Sequence, residues 1–555
     1  MTRAIKKRFR VYAELEATSP IHAGGMGNNA LVDLPLAVNG QGHYYIPGTS
    51  LAGALRNWMW ENLDDQVLTE KLWGSILKSG DDKKGSASFI LVEDSVLPEN
   101  AIAEIRDGVG IDRHRGAAAD KIKFDRAIIP RGTVFPLELT VEIPALGKPE
   151  ESEAKTALDG LIAALNSEEI RLGAAKSRGL GRVKIKGKAK RLEEKLDSPA
   201  DILEVIKQQV EKNSSHQDWS DYCLPPNLEY LPKLIFDIIR WHPKDPVMVK
   251  AEADGLAVNI LPLTSSIDGS LALTLPGSSL KGALRFQAER IVRTLGVRER
   301  TPVTNQDNSS SEDSTSESQL DPEILAQRKA KKQFFSSLEL PLIVTLFGTG
   351  KTAESNGNGS REPMPGLSAL VVEDCYGDLG IKSEQWQAIA QATNTEELQN
   401  ALKALNEVGL SDTQQAYHVA VDRWTGGAAK SMLYSALEPF GVKWQPLRLT
   451  LNLNRIPENE RLCAIALLLL TLRDLSEGRI PLGYGVNRGM GAIAVTNISI
   501  QGKGLANIQP PILRQLEQTI SYTGKDIAEL GEGLLQEIDR AWGAWIVCNS
   551  RGVTV

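Results

Sequence analysis

Two glycine turns carry residues whose types and spacing suit one job, holding a phosphate. Ser177-Arg178-Gly179-Leu180-Gly181-Arg182 and Asn487-Arg488-Gly489-Met490-Gly491 set main-chain N–H groups, left uncovered by glycine, beside a guanidinium. Amides plus a fixed positive charge bind phosphate well, and Lys176 adds a further cation to the first turn. A plain β-turn is the alternative. Pro47-Gly48-Thr49-Ser50 and Pro276-Gly277-Ser278-Ser279 form a second pair, each opening a helix. There Ser50 or Ser279 can cap the first turn, the glycine admits a close approach, and the helix amides favour an anion. Arg56 follows in the first copy, Lys281 and Arg285 in the second. An ordinary capped helix accounts for the same residues without a ligand. A lone carboxylate, Asp33, stands after the flexible stretch Gly24-Gly25-Met26-Gly27-Asn28-Asn29. Such a group can hold a hydrated divalent ion, or simply cap a loop.

That these features come in pairs is itself the organising fact. Tyr45-Ile46-Pro47-Gly48-Thr49-Ser50-Leu51-Ala52-Gly53-Ala54-Leu55-Arg56 returns as Leu275-Pro276-Gly277-Ser278-Ser279-Leu280-Lys281-Gly282-Ala283-Leu284-Arg285. Val109-Gly110-Ile111-Asp112-Arg113 returns as Val419-Ala420-Val421-Asp422-Arg423, and Phe89-Ile90-Leu91-Val92-Glu93-Asp94 as Ala369-Leu370-Val371-Val372-Glu373-Asp374. The spacing is far too long for a solenoid, so the chain reads as two tandem copies of one domain, the second carrying about 80 extra residues.

Strands are expected at about 8–18, 88–93, 134–143, 182–187, 233–240, 368–373, 446–453 and 491–500, and helices at 49–63, 151–167, 278–296, 383–406, 459–477 and 511–543. Domain boundaries follow: 1–190, a linker at 191–231, a second domain at 232–500, and a helical tail at 501–555. Within the second domain, an insertion at about 300–335 includes a serine-rich segment with almost nothing to bury, which is expected to be disordered.

Composition excludes several classes. The 555 residues carry a formal net charge of −7 with 42% hydrophobic residues, enough for two cores. Cys223, Cys375, Cys463 and Cys548 lie far apart with no C-x-x-C, which points neither to a zinc ribbon nor to a disulfide framework. A cytoplasmic location fits, and the start lacks the apolar stretch of a signal peptide. The apolar run Cys463–Leu472 is too short to span a bilayer and reads as a buried helix, so no membrane partner is expected. Phe347-Gly348-Thr349-Gly350-Lys351-Thr352 imitates a phosphate loop, but Thr345 stands where that loop needs its first glycine. Mild acidity argues against nucleic acid, yet the stretch from Arg171 to Arg191 is strongly basic and free of acids.

In order and in both halves, these motifs resemble the repeat-associated mysterious protein (RAMP) superfamily. They look in particular like the Cas-seven-type backbone subunit of type III CRISPR effector complexes, in a tandem fusion of the type III-D kind. The resemblance covers about 8–190 and 232–500. It implies an α+β fold, with two tandem ferredoxin-like (RRM-like) domains, each bearing a β-hairpin thumb. The partners it implies are guide (CRISPR) RNA, target RNA and other CRISPR effector subunits.

The resemblance also assigns roles. Gly48, Thr49, Ser50, Arg56, Lys176, Arg178, Gly179, Gly181 and Arg182 would hold RNA in the first copy, and Gly277, Ser278, Ser279, Lys281, Arg285, Arg488, Gly489 and Gly491 in the second. Arg113, Arg115, Arg423 and Trp424 fall on the thumbs, which would wedge between stacked bases. Phe135 and Trp444 are further stacking candidates or core residues. Asp112 and Asp422 would orient the hairpins. Asp33 stands where the family carries its cleavage aspartate, so target RNA would be cut there, with Mg2+ or another divalent cation held by Asp33. In the second copy Asn259 or Ile260 falls opposite Asp33, leaving Asp254 and Asp245 as candidates. A non-catalytic RNA-binding scaffold is one alternative function. A guide-processing nuclease using His22 or His43 is another.

Overall fold

The computed structural model describes residues 4–25, 32–62, 66–75, 85–112, 117–147, 149–211, 217–219, 231–251, 254–297, 340–349, 367–406, 410 and 413–550. The serine-rich insertion, Arg113 and Arg115 lie outside them. The described chain divides into two compact units. The first holds Met1–Ile105, Ala127–Leu231 and Ser266–Asp268, and the second holds Arg106–Arg126, Pro232–Ser265 and Gly269–Val555.

Strand β1 (Ile5–Ala17) illustrates why the first unit folds as it does. Phe9, Val11, Leu15 and Ala17 are almost fully buried, while Arg8, Arg10, Tyr12 and Glu16 alternate with them, the period of a sheet with one face on a core. Helix α1 (Gly48–Asn62), strand β2 (Ile90–Val92), hairpin strands β3 (Glu104–Asp112) and β4 (Ala117–Ile128), strand β5 (Val134–Pro144), helix α2 (Glu151–Asn166) and strand β6 (Val183–Lys195) follow along the chain, with Arg106–Arg126 of the hairpin grouped in the second unit. The main sheet runs β2-β5-β1-β6 and ends on the short strand Gln217–Trp219. Its strands pair antiparallel throughout.

The second unit repeats this order. Strand β7 (Lys233–Pro243), helix α3 (Gly277–Thr294), strand β8 (Leu370–Val372), hairpin strands β9 (Gln414–Val421) and β10 (Ala428–Glu438), strand β11 (Leu447–Asn452), helix α4 (Arg461–Ser476) and strand β12 (Ile493–Lys503) come in sequence. Its sheet runs β8-β11-β7-β12, again antiparallel, and ends on Ile520–Tyr522. The Cys463–Leu472 run lies inside α4, as the sequence implies. Among the described residues no helix is long and apolar enough to cross a membrane.

Two segments differ from expectation. Residues 191–231 do not simply link domains: β6 runs on to Lys195, a helix covers Pro199–Glu211, and Gln217–Trp219 extends the first sheet. The tail is not one helix over 511–543. It adds the strand Ile520–Tyr522 to the second sheet and turns helical only in α5 (Glu532–Asn549), whose Leu534, Ile538 and Trp545 join the second core. Apolar residues at both helical and strand spacing made the segment ambiguous, and packing against β12 and α4 decided it.

Candidate RNA-facing site

Internal hydrogen bonds align the two copies residue by residue. Gly181 N donates to Pro20 O (2.7 Å) as Gly491 N donates to Pro246 O (2.9 Å), and Ala174 N donates to His22 O (2.9 Å) as Tyr484 N does to Met248 O (2.7 Å). Ala37 N donates to Ala23 O (2.9 Å) as Leu263 N does to Val249 O (2.7 Å), and Ala127 N to Leu34 O (3.0 Å) as Leu437 N to Ile260 O (2.9 Å). Leu34 therefore matches Ile260, and Asn259 stands opposite Asp33. Asp33 is exposed at the end of its loop. Asn259 is used internally, its Oδ1 accepting from Ser435 N at 2.9 Å and from Ser435 Oγ at 3.3 Å. Asp254 precedes it on the same loop, ion-paired to Lys250 at 3.1 Å. Asp245 matches Ser19, at the end of the first strand of its copy, and is not part of that loop.

The closing turns are built by glycine at positive φ. Gly181 (φ 92°) and Gly491 (φ 90°) approach so closely that a Cβ would lie 2.1 Å from Leu172 O or 2.4 Å from Leu482 O. Lys176–Arg178 and Val486–Arg488 each form one 3-10 turn before them. Arg178 is exposed and keeps its charge near neutrality. Arg488 donates to the hydroxyl of Tyr434 and to that of Tyr484 (3.1 Å), with its guanidinium 5.3 Å and 5.8 Å from the two ring centroids. His418 stacks on Tyr434 at 5.2 Å and meets Glu438 at 3.0 Å. In the second unit the glycine turn, the loop end at Asn259 and the base of the β9–β10 hairpin thus meet around Met248, Ile260, Ala436 and Met490.

At the hairpin tip Asp422 Oδ1 accepts from Trp424 N (2.8 Å) and Thr425 N (3.2 Å), and this carboxylate shapes the turn as expected. It presents Trp424 at 97% exposure beside an exposed Arg423. Phe135 and Trp444 are core residues, Trp444 stacking on Trp241 at 5.9 Å.

The helix starts require corrections. The cap is neither Ser50 nor Ser279, which fall inside the first turn. Asp94 Oδ1 accepts from Gly48 N and Asp374 Oδ1 from Gly277 N, both at 2.7 Å. Gly48 is needed for packing, since a Cβ there would lie 2.3 Å from Val92 O. Lys281 is buried, and its ammonium donates to Ser368 Oγ (2.6 Å) and Leu370 O (2.8 Å), which leaves it no RNA-facing role. Arg56 donates to Gly74 O (3.2 Å) and Arg285 to Gly348 O (2.8 Å), the same brace in both copies. Thr49, Ser50 and Ser278 are exposed and Ser279 half-buried. The basic stretch after Arg182 is largely the outer face of β6: Val183, Ile185 and Ala189 point inward, while Lys184 pairs with Glu16 (3.2 Å), Lys188 with Asp218 (3.3 Å) and Arg191 with Glu193 (3.1 Å). Arg182 pairs with Glu168 at 3.3 Å.

His22 is buried, and its Nδ1 donates to Ala127 O at 2.7 Å, which fixes the tautomer. Met248 fills the same place in the second copy. His22→Met should therefore cost about 1 kcal/mol of stability, the value of one hydrogen bond, and leave RNA cleavage at the parent rate. A folded variant that has lost cleavage would instead assign His22 to chemistry.

A family model for the RAMP superfamily matches residues 14–184 and again 269–494. The matches cover more than half of the chain, one in each copy, and the protein belongs to that superfamily as a tandem of two RAMP regions. Membership points to an RNA-binding, CRISPR-associated subunit. No curated protein matches the chain.

Proposed function

We propose that the protein is a double backbone subunit of the Cas-seven type, from a CRISPR effector complex of type III, resembling type III-D. It grips guide RNA, aligns target RNA with it, and cuts the target beside Asp33. Each β-α-β-β-α-β order with its 2-3-1-4 strand arrangement is read as a ferredoxin-like core, and the β3–β4 and β9–β10 hairpins as thumbs. The observation that carries the reading is the convergence, in the second unit, of a glycine turn, the loop end matching Asp33 and the base of a hairpin tipped by exposed Trp424.

The chemistry asked of the protein is modest. The 2′-oxygen of the target attacks the adjacent phosphorus, the bond to the 5′-oxygen breaks, and a proton passes from the first oxygen to the second. A thumb that unstacks the flanking nucleotide brings the attacking and leaving oxygens into line. Asp33 would hold a hydrated divalent ion such as Mg2+, which would supply positive charge to offset the charge developing in the transition state. Arg178 holds the guide backbone, with Lys176 and the exposed Thr49 and Ser50 alongside. Asn259 in the aspartate's place favours a scaffold role for the second copy.

The test is incubation of the assembled complex with guide-complementary RNA and Mg2+. Defined products at one position per subunit are expected, and intact target would sink the cleavage reading. Trp424→Ala should leave the fold unchanged and weaken target capture about tenfold, the loss of one base stack. Unchanged capture by filter binding would remove Trp424 from the interface.

A further inference from the structure

Asp374, in the turn after β8, divides its two oxygens between two tasks. Oδ1 caps α3 through Gly277 N, while Oδ2 accepts from Arg106 Nη1 of β3 at 2.5 Å and from the Tyr376 hydroxyl at 3.2 Å. Arg106 also donates to Ser265 Oγ at 3.2 Å. The pair is sealed: Arg106 is 8% exposed and the Asp374 side chain 2%. Around it Val371, Glu373 and Tyr376 are buried. A buried carboxylate of this kind depends on its arginine, because unpaired charge inside a protein is costly.

The first unit repeats the cap without the cover. Asp94 Oδ1 accepts from Gly48 N at 2.7 Å, yet Glu93 and Asp94 are exposed. Leu91 and Val96, which match Val371 and Tyr376, are 48% and 40% exposed against 6% and 3%. One face is thus closed over an arginine-bearing hairpin strand in the second unit and open in the first.

We infer that the face formed by Leu91, Glu93, Asp94 and Val96 is a socket for a β-hairpin strand carrying an arginine, supplied by another protein of the same superfamily. The arginine would bond Asp94 Oδ2 as Arg106 bonds Asp374, and apolar neighbours on the strand would cover Leu91 and Val96. A second copy of this chain fits poorly. The motif match of Val109 with Val419 puts Ala416 of β9 where Arg106 stands in β3, and Arg106 itself is already buried. The inference rests on the reading of the chain as one subunit of a larger assembly.

The test uses the full chain in the complex assembled on guide RNA, with photo-reactive benzoylphenylalanine in place of Val96. Crosslinking to a hairpin strand of one neighbouring superfamily subunit, next to an arginine, is expected. Leu91→Arg and Val96→Arg should weaken retention of that neighbour at least about tenfold, and Asp94→Asn, which keeps the cap oxygen, should do so in part. Asp94→Arg combined with a charge reversal of the neighbour's arginine should restore it. Crosslinks to RNA, to another copy of this chain or to an unrelated protein would overturn the socket, as would a complex that keeps all its subunits in the Leu91→Arg and Val96→Arg variants. Guide binding by the isolated chain, measured in parallel, separates the two claims, since its loss in the parent protein would strike the RNA reading alone.

Discussion

Asp33→Ala should abolish cleavage of guide-complementary RNA beside the first copy, by about a hundredfold or more in rate, while guide binding and folding persist. The side chain is exposed, and the neighbouring Leu34 carbonyl accepts from Ala127 N at 3.0 Å. Removing the carboxylate leaves that main-chain bond in place, so stability should change by no more than about 0.5 kcal/mol, as for an ordinary surface substitution. Mapping of product ends by gel, parent against variant, reads the result. Undiminished cutting at every position would sink the assignment. If a second cut exists, Asp254→Ala should remove it alone, with Asp245→Ala next to test, because carboxylates in separate sites act independently. A second cut that survives both substitutions would place the chemistry elsewhere in the second copy.

The largest loss of stability should come from Gly181→Ala, at about 3–5 kcal/mol. Two costs combine there, a φ of 92° and a Cβ that would sit 2.1 Å from Leu172 O. Main-chain bonds hold both strands of the turn, since Gly181 N donates to Pro20 O and Leu172 N donates to Gly181 O, each at 2.7 Å, and the turn cannot relax without losing them. Gly489→Ala is the internal control. Its φ is 83° but a Cβ would meet open space, so only the backbone cost of about 1 kcal/mol applies. Urea unfolding followed by probes in each unit should show the first unit melting early in Gly181→Ala and both units near parental in Gly489→Ala. Equal effects from the two would mean that close packing at Gly181 does not matter.

How much of this was legible in the chain differs from residue to residue. Gly181 and Gly491 stand out in the sequence because only glycine tolerates such a turn, and both sit at positive φ. The helix starting at Gly48 was legible from its Pro-Gly-Thr-Ser opening, but its cap was not. Asp94 is distant in the chain from Gly48, and only the fold of β2 against β5 brings its carboxylate to that amide. Lys281 looked like a phosphate ligand by its place in the motif, and packing turned it inward onto Ser368. The lysines of β6 read as a basic patch, whereas the strand's period of two sends them to one face where acids from other strands meet Lys184 and Lys188.

Repetition, element order and the positions of the turns were thus written in the sequence, because each depends on local backbone preference and on a periodicity that a linear chain displays. The partner of each charge was decided only in three dimensions. Arg106 and Ala416 occupy the same place in two copies of one motif, yet the first ends buried against Asp374 while Asp94 keeps an exposed face. Electrostatic pairing acts between residues distant in sequence, and burial sets its strength, so identical motifs acquire different roles once the surfaces around them are closed or left open.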